Sequence, residues 1–150
     1  MISLKKFLYK NSVAWGLVLL WMSFIFILSS VGNYDPVAPV GPKTHDTIST
    51  VVHIFLYFIL MALSLLAVIS YPRRHEKFWH GNAVDRWQYL FLAFSIAVFY
   101  GLTDEWHQIF VAGRESSPID WLADILGTLM ALFLIIWYVK NKSRKTINKI

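Results

Sequence analysis

Residues 11–34 run for 24 positions without a charged side chain, and residues 47–72 for 26, interrupted only by His53. Runs of that length constrain the fold more than anything else in the chain. A bilayer core of about 30 Å takes roughly 20 helical residues at about 1.5 Å each. Residues 87–103 add 17 uncharged positions, and 125–139 add 15, or 21 if the span begins at Ile119. The last run is long enough only with Asp120 and Asp124 inside its first turns. Of the 150 residues, 57% are apolar and 15% charged, whereas a soluble domain carries about 45–50% and about 25%. A soluble globule and a disordered chain are both excluded. The expectation is an all-α polytopic membrane protein with four transmembrane helices in one domain over 1–150, at about 12–31, 47–71, 87–110 and 118–140.

The basic residues orient it. Lys5, Lys6 and Lys10 precede the first span, and Arg73, Arg74, Lys77 and Arg86 lie between the second and third. Lys140, Lys142, Arg144, Lys145 and Lys149 follow the fourth, leaving only Lys43 and Arg114 for the other two connections. The positive-inside rule then places both termini and the 71–86 loop in the cytoplasm, N-in and C-in. Asp35, Asp46, Asp104, Glu105, Glu115, Asp120 and Asp124, seven of the nine acids, fall on the opposite side. The net charge of +5 is therefore a topology signal with membrane lipids as the contact, not a nucleic-acid footprint. The first span, preceded by lysines and followed by Ser30-Val31-Gly32, has features of a secretory signal. Its apolar run exceeds the roughly 7–15 residues of a cleavable core, so it reads as a retained helix. Without cysteine there is no disulfide, thiolate metal site or cysteine nucleophile. The Pro/Gly-rich stretch 32–42 reads as a loop within the domain.

Polar residues inside spans are expensive, so the faces they occupy carry information. At 100° per residue, Ala93, Ala97, Gly101 and Asp104 share one side of the third span, with Tyr100, His107 and Gln108 close by. Trp106, Ile109 and Phe110 point away, which extends that helix to about Phe110. In the fourth, Ser117 suits an N-cap, Pro118 the first helical position, and Asp120 the acid of a capping box. Asp120, Asp124, Gly127 and Ala131 then share a face, with small residues that permit close helix approach. Asp46, Ser49, His53, Tyr57 and Ser64 share a side of the second. One polar pocket open to the outside is expected, lined by His53, Tyr57, Asp104, Glu105, His107, Gln108, Arg114, Asp120 and Asp124.

Several members have ordinary structural explanations. Asp120 can serve the helix dipole alone, and His53 and Tyr57 an interhelical hydrogen bond. Asp124 lies one turn deeper and needs a partner, either Arg114 or a histidine. As a cluster, the carboxylates supply a general acid or base, and Arg114 has the planar fork for a phosphate or carboxylate. His107 and His53 with an Asp have the atoms of an oxygen/nitrogen metal site. The Asp-Glu-x-His-Gln order is not a strong zinc pattern, so no metal is assigned. No serine sits in a nucleophile elbow, and no glycine loop cradles phosphate.

The run Tyr100-Gly-Leu-Thr-Asp104-Glu105-Trp-His107-Gln108-Ile-Phe110-Val-Ala-Gly113-Arg114, followed by Asp120, Asp124 and Gly127, resembles the signature of the VanZ-like family. His53-x-x-x-Tyr57 looks like that family's upstream histidine–tyrosine pair. The chain departs from the pattern at Ser49–Val52, where a lysine is common, at Leu56, where an acid is, and at Ala112, where a proline is. The resemblance implies a small bacterial integral membrane protein of the cell envelope. The name-giving member is associated with low-level resistance to the glycopeptide teicoplanin.

Three functions are open at this stage. One is a non-enzymatic envelope protein that binds an anionic lipid, a lipid-linked cell-wall precursor or a glycopeptide. Its binding residues are Arg114, Gln108, His53, Tyr57, Asp120 and Asp124. A second is a membrane enzyme on a lipid or lipid-linked substrate, with Asp104 or Glu105 as acid or base and His107 as proton shuttle. The third is a structural subunit of a membrane complex. Cofactor, substrate and oligomeric state do not follow from the sequence.

Overall fold

The computed structural model describes residues 11–31, 45–112, 114 and 116–147. Lys5, Lys6, Lys10, Asp35, Lys43, Gly113, Glu115, Lys149, the 32–42 connection, and the side chains of Asp46, Arg73, Arg144 and Lys145 lie outside the described residues. Among those described there are five α-helices and no strand: α1 (Asn11–Ser30), α2 (His45–Ile69), α3 (Pro72–His80), α4 (Ala83–Gln108) and α5 (Pro118–Ile147).

Each helix has local reasons for its limits. In α1 the hydroxyls of Ser23 and Ser30 donate back to the carbonyls of Leu19 and Phe26 at 2.9 and 2.7 Å. These two hydroxyls thereby find acceptors within the helix, the usual solution in an apolar environment. Pro72 opens α3, where a missing N–H costs nothing. Gly81 ends it: a Cβ there would lie 2.3 Å from the Lys77 carbonyl oxygen. Asn82 caps α4 by accepting the Asp85 N–H at 2.8 Å. Pro118 opens α5, and the Ser117 hydroxyl accepts the Ile119 N–H at 3.2 Å.

Three helical segments are long and apolar enough to cross a membrane: Asn11–Ser30, Ser49–Ile69 and Pro118–Lys142. The chain is a membrane protein by this measure. α4, the third expected crossing, is long but not among the three. Trp87, Gln88 and Tyr89 at one end and Thr103, Asp104 and Glu105 at the other leave its apolar centre short. Exposed apolar side chains ring the bundle, among them Leu20 and Ile27 of α1, Phe91 and Phe99 of α4, and Leu129 and Phe133 of α5. Such a surface suits lipid rather than water.

α2 is the central helix and touches each of the other four. In its most apolar stretch 56% of residues are buried, against 22% in α1 and 33% in α5. Tyr57, Leu60, Met61, Ser64 and Val68 are completely buried. Its largest interface is with α5, where Gly127 meets the Ile54 backbone so closely that a Cβ would sit 2.1 Å from that carbonyl oxygen. The small residues Ala93, Ala97 and Gly101 form the buried stripe of α4. Close backbone approach of this kind is how helices associate where lipid removes the hydrophobic incentive.

Between α2 and α4, the basic 71–86 segment contains α3, a short amphipathic helix. Phe78 is buried, while Trp79 packs edge-on to Tyr138 and carries the Lys142 ammonium 4.0 Å from its ring centroid. An interfacial helix has this character. Burial, helped by the charges of Lys142 and His80, holds the His75 imidazole below its ordinary pKa.

Two glycine substitutions test the packing. Gly127→Ala forces α2 and α5 apart and should lower stability by about 1–3 kcal/mol, read as a lower melting temperature in mild detergent. Gly16→Ala meets nothing within 4 Å and should be neutral or slightly stabilising. Equal melting of Gly127→Ala and wild type would refute the close approach.

A buried histidine and carboxylate core

The polar residues converge at one end of the bundle. His53 of α2 and Asp124 of α5 meet, with Nδ1 to Oδ1 at 2.8 Å. With Asp124 ionised and His53 neutral, Nδ1 carries the hydrogen and Nε2 the lone pair. Asp104 and Glu105 enter from the last turns of α4. One ligating atom each of His53, Asp104 and Glu105 lies within 4.8 Å of the others. Gly101 makes room beside them: a Cβ there would come within 2.9 Å of Asp124 Oδ2 and 3.2 Å of Tyr57 Cε1. The Tyr57 and His53 rings are nearly parallel, with centroids 6.5 Å apart.

The three carboxylates are held alike. Asp104 Oδ2 accepts from the Ser29 hydroxyl at 2.8 Å and the Gln108 amide at 3.4 Å. Glu105 Oε2 accepts from the Ser117 N–H at 2.9 Å and the Ser116 hydroxyl at 3.3 Å. Asp124 Oδ1 accepts from His53. In each case the other oxygen, Asp104 Oδ1, Glu105 Oε1 or Asp124 Oδ2, is buried with no hydrogen-bond partner among the described residues, as is the Tyr57 hydroxyl. A buried acceptor left unpaired costs about 1–3 kcal/mol. Four in one core mark a place that has not been optimised for stability alone.

His53, Tyr57, Asp104, Glu105, Gln108 and Asp124, expected to line one polar pocket, are all buried, none more than 6% exposed.

Two expected members stand apart. Arg114 donates to the carbonyls of Leu28 at 2.9 Å and Val31 at 3.2 Å. It closes the C-terminal end of α1, where carbonyls lack helical partners. His107 stacks on Phe26 of α1 at 4.3 Å and shares a hydrogen bond with the Ser30 hydroxyl at 3.0 Å. Both residues bind α4 and the following loop to α1. Asp120 is half-buried one turn from Asp124. The capping box also differs: the acid that accepts the Ser117 N–H is Glu105, not Asp120. A carboxylate already fixed by α4 has displaced the local one.

Sequence reading missed Ser29, which hydrogen-bonds Asp104 across 75 positions, and Ser117, whose backbone anchors Glu105. The polar pair Ser29-Ser30 at the end of a long apolar run was the available signal for the first. Nothing local marked the second.

The fold and core together define a helical membrane protein built around an interior histidine–carboxylate cluster. Residues 14–139 match the family model described as VanZ/LLP1, and the chain belongs to that family. No curated protein and no solved structure shows significant similarity to it.

Removing either partner of the His53–Asp124 pair strands the other. Asp124→Leu should cost about 3–5 kcal/mol. In a double-mutant cycle with His53→Leu the pair should couple by about 0.5–3 kcal/mol, measured by denaturant unfolding in detergent. Additive losses would show that the bond contributes nothing to holding α2 against α5.

Proposed function

We propose that this is a bacterial cell-envelope protein with four membrane crossings, α4 being the third, and with both termini in the cytoplasm. Its buried core carries out acid–base chemistry on a lipid or lipid-linked envelope precursor. The observation that carries the reading is the shared state of the three carboxylates: one oxygen anchored, the other unpaired beside an oriented His53–Asp124 pair. An orienting acid on one ring nitrogen leaves the other free to take a proton. Asp104 and Glu105 stand within reach as the complementary acid or base. Simple capture of an anionic lipid by Arg114 has less support, because its guanidinium is engaged at the end of α1. Reduced teicoplanin susceptibility is a fitting phenotype if the precursor belongs to cell-wall synthesis.

Two measurements test this. Mass-spectrometric profiling of envelope lipids and lipid-linked precursors compares cells lacking the gene with cells expressing wild type or Asp104→Asn at equal membrane abundance. One species should accumulate in the null and in Asp104→Asn, with its product restored by wild type alone. Identical profiles in all three would sink the enzymatic reading. Because the chain contains no cysteine, topology can be read from single introduced thiols. Ala112→Cys should react with a membrane-impermeant maleimide in intact cells, and Glu76→Cys only after the membrane is opened. The reverse pattern would overturn the orientation.

A further inference from the structure

We infer that His53, Asp104 and Glu105 bind a divalent transition-metal ion, with Asp124 orienting the histidine from behind. The starting observation is electrostatic. Three carboxylates and one imidazole share a buried interior, and the arginine nearest in sequence, Arg114, is occupied at the end of α1. Buried charges persist when they are paired or coordinate metals. Among the described residues one imidazole faces three carboxylates, an excess of acid that a bound cation would offset.

The unpaired atoms point the same way. Asp104 is 3% and Glu105 5% exposed, yet Asp104 Oδ1 and Glu105 Oε1 receive no hydrogen bond from the described residues. A protein that needed these side chains only as acceptors would have satisfied both oxygens of each. Their second oxygens are meanwhile fixed by Ser29 and Gln108 and by Ser116 and Ser117. Anchored ligating carboxylates are a regular feature of metal centres. The histidine is arranged in the same manner. Asp124 accepts its Nδ1–H at 2.8 Å, which leaves the Nε2 lone pair for a metal and forms a carboxylate–histidine–metal relay.

Distances and ligand chemistry narrow the ion. The three ligating atoms lie within 4.8 Å of one another. Metal–ligand bonds of about 2.0–2.2 Å in a tetrahedron separate ligands by roughly 3.4 Å, so the three side chains would draw together on binding an ion. One imidazole nitrogen with carboxylate oxygens and no thiolate suits Zn²⁺ or Mn²⁺ better than Ca²⁺ or Cu⁺. Three protein ligands leave a position for water or a substrate oxygen, as in catalytic rather than structural sites. The sequence hid this set because its histidine and its acids are about fifty residues apart and share no ligand-spacing motif.

The inference rests on reading the core as a working site, but its test needs no substrate. Tag-free full-length protein is purified in detergent, stripped with chelator, and reloaded separately with Zn²⁺, Mn²⁺, Mg²⁺ or Ca²⁺. Metal content after gel filtration and melting temperature are then measured. Wild type should retain about one Zn²⁺ or Mn²⁺ per chain and melt higher than the stripped form. Asp104→Asn and Glu105→Gln should hold at least tenfold less, and Asp124→Asn should weaken affinity by about 10–100-fold. His75→Ala, which alters a histidine outside the core, should bind as wild type does. Stripped wild type that takes up neither ion, or an Asp104→Asn/Glu105→Gln double variant that keeps a full equivalent, overturns the proposal whatever the single variants do. Retained metal with unchanged lipid profiles would remove the substrate reading alone; altered profiles without metal would remove this one.

Discussion

The hydrogen bond between His53 and Asp124 is the interaction on which the rest of the structure depends. It joins the two helices that share the largest interface, and it forms only because their backbones approach so closely. Gly127 lets α5 descend onto the Ile54 carbonyl, and Gly101 leaves space for Asp124 beside Tyr57. A side chain at either glycine would displace the carboxylate from the ring nitrogen. Packing and polarity are therefore one design here: the small residues set the distance, and the distance makes a buried charge tolerable.

Much of this core was legible in the sequence because helical periodicity gives direction. His53 and Tyr57, one turn apart, had to share a face of α2, and Asp104 with Gly101 a face of α4. Asp124 with Gly127 followed in α5. The amphipathic helix α3 was read only as a basic loop, since two apolar residues, Phe78 and Trp79, are too few to show a period. Arg114 lies beyond the end of α4, where periodicity no longer fixes direction, and His107 in its last turn meets Phe26 and Ser30 of α1. The free carbonyls closing α1 then decided where the guanidinium went.

The same competition explains the start of α5. A local capping box needs Asp120 to turn back to the Ser117 amide, but Glu105 already stands there, held by α4. A long-range acceptor fixed by a rigid helix loses less freedom on binding than a side chain that must fold back on its own turn. Local rules of helix termination presume an isolated helix. In a bundle this tight, a neighbour supplies the partner. The family membership over residues 14–139 covers every residue of the core.

The way α1 is attached has a consequence for biosynthesis. It is the least buried of the three most apolar helices, and its polar attachments come from much later in the chain. Leu56 accepts from Trp21, Tyr100 donates to Met22, Asp104 accepts from Ser29, and Arg114 reaches Leu28 and Val31. This helix thus leaves the ribosome and enters the bilayer before most of these partners exist. It waits there on its own lipid compatibility, with Ser23 and Ser30 bonded internally. It packs first against α2, where Trp21 donates to Leu56. Its other attachments form when residues 100–114 arrive, and the histidine of α2 stays without its carboxylate until α5 has been made. A chain that ends before Asp124 contains a membrane helix but lacks the carboxylate that completes the interior pair.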